Sequence, residues 1–360
     1  MPHDDYAGAG AAPHDPACAA THDGRSGAAL HGHSSDAPHD DLGCCSRLGF
    51  LTASVAAAGT PVVFFPSRAL AQAPMPASGP RTKAILLGTA GGPGIRGARM
   101  EPATVIVVDG VAYLVDCGNG VARALFQAGL PLAKLGTIFI THHHSDHIAD
   151  YGALLLLAWA NGLKTPVAAY GPPPLAAMTQ AILSAYARDI AVRVAEEGRP
   201  PLAPLIATHE IAADGVVYQD ERVRVSAAIV NHGAMKPAFA YRFDTPDRAI
   251  VVSGDTVFDQ NLIRLAKDAD LLIHEALYLE GLDRLLALSN NAATLREHIL
   301  TTHTPTEDVG RVAAAAGVKS LVLTHLVPAA DTSITDDRWL AGIQRNYGGP
   351  AVVGHDLGVY

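Results

Sequence analysis

From residue 81 onward the sequence predicts an α/β fold, on three observations. Apolar runs of strand length alternate with longer helical stretches, Gly, Pro and Asp-Gly punctuation separates them, and a dense histidine motif stands between an apolar strand and an apolar helix.

Residues 1–80 precede that pattern. Residues 1–41 are rich in Ala, Gly, Asp, Pro and His with almost no large apolar side chains, so they bury too little to offset their ordering entropy and are expected to be disordered. Their histidines (His3, His14, His22, His31, His33, His39) fit either a low-complexity tail or a metal-scavenging arm. Residues 48–67 carry no charge and lie between Arg47 and Arg68, and Ala71-Gln72-Ala73 matches the small-residue cleavage pattern of an export signal. This predicts an export signal over 42–73 with cleavage after Ala73, and a periplasmic or secreted domain. Gly59, Thr60 and Pro61 make the stretch a poor permanent span, so no stable membrane insertion is expected after signal removal; an anchor facing the periplasm is the competing reading. Ser46-Arg47-Leu48-Gly49-Phe50-Leu51 resembles a twin-arginine signal with one arginine kept. Residues 74–80 form a Pro/Ser/Gly linker to the domain at 81–360.

Within that domain, 83–88, 104–109 and 111–116 read as strands, the last two joined at Asp109-Gly110. The glycine-rich 88–94 segment is either a mobile connection or a loop that faces a ligand. A helix at 119–128 ends at Gly129, 137–140 is a buried strand, and 148–160, apolar all round yet too short for a bilayer, is a buried helix. A strand at 166–170 leads to a proline-opened helix reaching about residue 190, and 196–204 reads as a loop able to cover a site. Further strands are expected at 223–230, 238–243, 249–253, 271–274, 320–324 and 351–354, with helices at 305–316 and 336–346.

The chemistry concentrates in Thr141-His142-His143-His144-Ser145-Asp146-His147. A strand end followed by a tight loop can aim His142 and His144 at one metal and Asp146 and His147 at a second, and imidazole with carboxylate but no thiolate suits zinc and similar divalent ions. Three more candidates stand at strand ends: His232, Asp255 and His325. Together they give two sets, His142, His144 and His232 on one ion and Asp146, His147 and His325 on the other, with Asp255 bridging. Of the four cysteines, only Cys117 falls in the domain, so neither a disulfide framework nor a Cys-x-x-Cys zinc site is present. The net charge of −9 and the lack of a basic block argue against general binding to nucleic acid.

On Thr141 to His147, His232, Ser253-Gly254-Asp255-Thr256 and Thr324-His325-Leu326, the chain resembles the metallo-β-lactamase fold, which implies a four-layer αββα sandwich with two divalent ions, most simply Zn2+, at one sheet edge. Leu87-Gly88-Thr89, Asp116-Cys117-Gly118, Ile273-His274-Glu275-Ala276 and Thr302-His303-Thr304 resemble the ribonuclease Z and arylsulfatase branch, with Leu277 where that branch has Thr. The resemblance implies His303 as proton donor to the leaving oxygen, oriented by Glu275, and Asp146 as ligand and orienting carboxylate. His143, His209, His274, His298 and His355 are read as structural or solvated, and Cys117 as a packed side chain. The resulting expectation is an exported dinuclear zinc hydrolase that uses a metal-bridging hydroxide on a small-molecule ester substrate: aryl sulfate ester, phosphodiester or lactone. A phosphodiesterase of the ribonuclease Z type and a non-catalytic zinc-binding protein are the alternatives. No nucleic acid is expected as a partner, and a homodimer is compatible with the branch.

Overall fold

A computed structural model of the chain describes residues 81–360 apart from Arg96 and Leu288. The histidine-rich segment 1–41, the export signal 42–73 and the linker lie outside the described residues. Two sheets face each other. The first has six strands in sequence order: β1 (Thr82–Gly88), β2 (Ala103–Val108), β3 (Val111–Val115), β4 (Thr137–Phe139), β5 (Val167–Gly171) and β6 (Ile206–Glu210). The second has seven: β7 (Gly215–Gln219), β8 (Arg224–Val230), β9 (Ala238–Asp244), β10 (Ala249–Val252), β11 (Leu271–Leu277), β12 (Leu321–Val327) and β13 (Ala351–Val353). The helices are α1 (Val121–Gln127), α2 (Ser145–Ile148), α3 (Tyr151–Ala160), α4 (Leu175–Ala185), α5 (Ala187–Glu197), α6 (Gln260–Leu265), α7 (Leu279–Leu286), α8 (Ala292–Thr302), α9 (Thr306–Ala316) and α10 (Asp336–Ile343).

Most strands other than the edge strands β6 and β7 are apolar on both faces because both faces are covered. In β1, Ala84 and Leu86 point into a core shared with Phe139, Tyr241, Phe243 and Ile273 between the sheets. Their neighbours Ile85 and Leu87 point the other way, against Val121 and Leu125 of α1 and Leu154 and Leu155 of α3. The outer face of the second sheet, through Val251, Leu272 and Leu323, packs on Leu262 of α6, Val309 and Val312 of α9 and Trp339 of α10. The order is therefore helix, sheet, sheet, helix, as expected.

Several expected boundaries moved. The single helix expected over 171–190 is two, α4 and α5, meeting at Tyr186. No proline or glycine marks that break, so the sequence does not announce it. The 196–204 segment does not cover the histidine loop. Trp159 Nε1 donates to the Pro200 carbonyl at 2.9 Å and Arg199 to the carbonyls of Trp159 and Ala160, which fastens the segment to the far end of α3. The half-exposed strands β6 and β7 and the short helices α6, α7 and α8 were not anticipated. Among the described residues, no helix is long and apolar enough to cross a membrane.

Candidate metal centre

Strands β3, β4 and β5 run parallel, as do β10, β11 and β12, so their C-terminal ends share one edge in each sheet. The histidine motif leaves β4 there, His232 and Asp255 follow the ends of β8 and β10, and His325 projects from within β12. Phe239 N donates to the Thr141 carbonyl at 2.9 Å and joins the two edges. The sequence-predicted side chains all converge: each of the trios His142–His144–His232, Asp146–His147–His325 and His142–His147–Asp255 has ligand atoms within 4.8 Å of one another.

His144 Nδ1 lies 3.1 Å from His142 Nε2 and 2.9 Å from His232 Nε2. Asp255 Oδ2 is central, 3.1 Å from His325 Nε2, 3.4 Å from His147 Nε2 and 3.8 Å from both His142 and His232. Asp146 Oδ2 is 3.2 Å from His325 Nε2 and accepts from the Gly92 amide at 3.0 Å. That amide shows the glycine-rich loop to be part of the site wall, anchored to β12 by Gly91 N to Leu326 O and Leu326 N to Thr89 O.

The outward nitrogens decide what the inward ones offer. His232 Nδ1 faces the Thr302 carbonyl at 2.8 Å, which only accepts, so the proton of the neutral ring sits on Nδ1. His147 Nδ1 faces Asp116 Oδ2 at 2.8 Å in the same sense. The Thr141 hydroxyl donates to Asp116 Oδ2 at 2.9 Å and accepts from His142 Nδ1 at 3.0 Å. The hydrogen-bond chain therefore assigns lone pairs to Nε2 of His142 and His232, turned inward toward two carboxylates that His147 Nε2 also faces. His147 Nε2, His325 Nδ1 and Asp255 Oδ1 are buried without a hydrogen-bond partner among the described residues. Converging lone pairs and orphaned buried polar atoms are the donor set of a cation site.

The electrostatics agree. Burial pushes the imidazoles of His142 and His144 below their ordinary pKa and that of His232 down to about 4, so they stay neutral. Burial also opposes the charged forms of Asp255 and Asp146, but the facing His325 and His147 outweigh it and hold both carboxyls below the usual range. For His147, burial is outweighed by Asp255, Asp116 and Asp146, which hold its pKa well above the ordinary value, so the carboxylates favour a positive charge at this spot, carried by the ring itself or by a bound cation.

His303 and Glu275 also join the site. His303 Nδ1 lies 3.3 Å from Glu275 and 3.9 Å from Asp255, and its ring stacks on His325 at 5.3 Å. Glu275 Oε1 is fixed by the amides of Thr256 and Thr304. Burial disfavours the His303 cation, yet Glu275 and Asp255 more than offset this and raise its pKa to about 9.

Sequence reasoning gave no role to two residues, one of them within the Asp116-Cys117-Gly118 motif. Asp116, with a left-handed backbone at φ 62, orients the histidine loop through Thr141 and His147. His298, read as structural or solvated, is exposed on α8 with its ring 6.0 Å from His144 and 6.5 Å from His303, at the mouth of the site. Its spacing of five before His303 was the available signal. His143 donates to the Pro172 carbonyl, His209 stacks on Tyr170, and Cys117 is fully buried, in keeping with structural roles.

Against known proteins, the family described as the beta-lactamase superfamily domain matches residues 111–326. The chain belongs to the beta-lactamase superfamily, and it is a metal-dependent hydrolase acting on ester bonds. Within that class it is 33% identical to ribonuclease Z of Mycobacterium marinum over 275 residues, covering 76% of this chain and 95% of that enzyme. The metallo-beta-lactamase fold protein YhfI of Bacillus subtilis superposes with a TM-score of 0.58 at 21% identity, over 78% of this chain and 98% of that one. The short form of human tRNase Z does so with a TM-score of 0.56, also at 21% identity, over 77% and 98%. These relatives correct one expectation: a small-molecule ester substrate with no nucleic acid partner does not stand beside relatives that are ribonucleases. The net charge of −9 measures long-range repulsion of a polyanion, whereas a metal centre supplies its own local positive charge. The non-catalytic zinc-binding alternative gives way to the hydrolase class.

Proposed function

We propose that this protein is a phosphodiesterase of the ribonuclease Z type, with His142, His144 and His232 holding one divalent ion, Asp146, His147 and His325 a second, and Asp255 shared between them. The observation that carries this reading is the near full-length similarity to ribonuclease Z. It ranks the phosphodiester ahead of the aryl sulfate ester and the lactone. Zinc is the metal that the His/Asp donor set favours.

Ions in these positions would lower the pKa of bound water toward neutrality and polarise a phosphoryl oxygen. The chain's own residues do the rest. Asp146 is held by the Gly92 amide so that its carboxylate faces the centre. Glu275 keeps the Nδ1 proton of His303 engaged, which leaves Nε2 to carry the proton that a departing oxygen needs. His298 stands where substrate enters.

The test uses the full chain with bis(4-nitrophenyl) phosphate, a 3′-extended structured RNA, an aryl sulfate and a lactone, each with and without chelator. Phosphodiester cleavage that chelator abolishes and Zn2+ restores is expected. Turnover of the sulfate or lactone with no cleavage of either phosphodiester would overturn the reading.

A further inference from the structure

We propose that the open cleft beside His232 is a subsite for the nucleotide flanking the scissile phosphodiester, with Lys236 pairing with that nucleotide's phosphate; this rests on the phosphodiesterase reading above. The cleft has a volume of about 640 Å³ and is lined by Pro173, Ile229, Asn231, Lys236, Asp259 and Asn261, among others. That size is in the range of small-molecule sites, roughly 300–1,000 Å³, and admits a nucleotide.

Its place in the fold ties it to the metal centre. The lining comes from the end of β8 and the loop that follows it, from the segments after β5, β6 and β10 and from the start of α6; the ends of β8 and β10 also carry His232 and Asp255. Asn231 adjoins His232, and the Pro172 carbonyl beside Pro173 accepts from His143 of the histidine motif at 2.7 Å. On the other side of the 231–237 loop, Gly233 approaches Thr302 at the end of α8, so a chain crossing the centre has this cleft on one flank.

The chemistry fits a phosphate with an apolar neighbour. Lys236 is exposed and makes no hydrogen bond or ion pair among the described residues, an uncommitted cation in a chain of net charge −9. The one carboxylate in the lining is already engaged: Asp259 accepts from Asn261 N at 2.6 Å and from Asn231 N at 2.9 Å. Pro173 and Ile229 offer apolar faces for a base or ribose. Asn231 spends its carbonyl oxygen on Gly233 N at 3.2 Å, which leaves its NH2 group to donate.

The experiment takes the zinc-loaded full chain and compares kcat/KM for an RNA carrying several nucleotides beyond the scissile bond with that for bis(4-nitrophenyl) phosphate, which has no such flank. Lys236→Glu should lower this ratio about tenfold, chiefly through KM for RNA, and Lys236→Arg should restore it. Lys236→Ala should reduce the slope of log KM against log salt by about 0.7, the share of one phosphate in a single strand. Ala212→Trp, which fills the cleft without changing charge, should lower the ratio as well. A wild type that cleaves RNA while Lys236→Glu and Ala212→Trp match its ratio and Lys236→Ala its salt slope sinks the subsite alone. A wild type that cleaves no phosphodiester sinks the functional reading and takes the subsite with it.

Discussion

At the level of single residues, the division of labour between His303 and the metal-facing histidines follows from what each ring nitrogen touches. His303 also forms a trio with Asp255 and His325, but its Nδ1 is taken up by Glu275 at 3.3 Å, which suits proton transfer better than ligation. His303→Ala should therefore lower kcat about 10²–10⁴-fold on an RNA, whose leaving alkoxide needs a proton, and far less on bis(4-nitrophenyl) phosphate, whose leaving group does not. Equal losses on both substrates, measured at full metal content, would remove the proton-donor role. Asp116 acts one step further out. Asp116→Asn keeps the shape and tolerates the left-handed backbone but removes the charge on His147 Nδ1, so zinc affinity should drop about 10–100-fold in a competitive chelator titration. The histidine motif was legible in the sequence because so many ligand types crowd one strand end. Asp116 was visible within the Asp116-Cys117-Gly118 motif but its role was not, because its positive φ and its contacts with Thr141 and His147 are properties of the folded backbone.

At the level of elements, the position of His325 depends on an irregularity in β12. The pairing of β11 with β12 runs Glu275 to Thr324 and then Ala276 to Leu326, which leaves His325 as the unpaired residue of a bulge, with φ 42. The bulge turns its ring toward Asp146 and Asp255 while the strand continues on either side. Gly91 makes room for it: a Cβ there would lie 2.7 Å from His325 Nδ1 and 2.6 Å from Val327 Cγ2. Gly91→Ala should displace the ring, cost about 1–3 kcal/mol of stability by overpacking, and lower bound zinc, read by thermal unfolding and by metal analysis of the purified variant. Unchanged metal content and activity would mean that the ring has more freedom than this packing allows. The strand itself was readable from its apolar run, but a bulge has no residue signature here. Helix α7 does carry a helical period, with Leu279, Leu282, Leu285 and Leu286 along one stripe, but over only two turns; α8 has no such stripe and adds mainly Ile299 to the small cluster on Leu277 and Val327.

For the molecule as a whole, the proposed metal centre would also tie the two sheets together. Donors from the first sheet (His142, His144, Asp146, His147) and from the second (His232, Asp255, His325) meet at one edge, so ions bound there link layers that otherwise adhere through the apolar core between them. Without a cation, the buried carboxylates of Asp146 and Asp255 are compensated only by charge on buried imidazoles such as His147, at a desolvation cost. Binding that requires the folded state adds stability by mass action, about 2.7 kcal/mol at a free metal concentration 100 times the dissociation constant. For a domain of this size class that corresponds to roughly 5–10 °C in Tm. Removing metal with a chelator should lower the Tm of the full chain by that order, and Zn2+ should restore it. His232→Ala, which takes a donor from one trio only, should retain one ion per chain by native mass spectrometry where the wild type holds two. A wild type that binds a single ion, or a Tm indifferent to complete metal loss, would show that the sheets are held without the paired centre and that the ligands act through one ion.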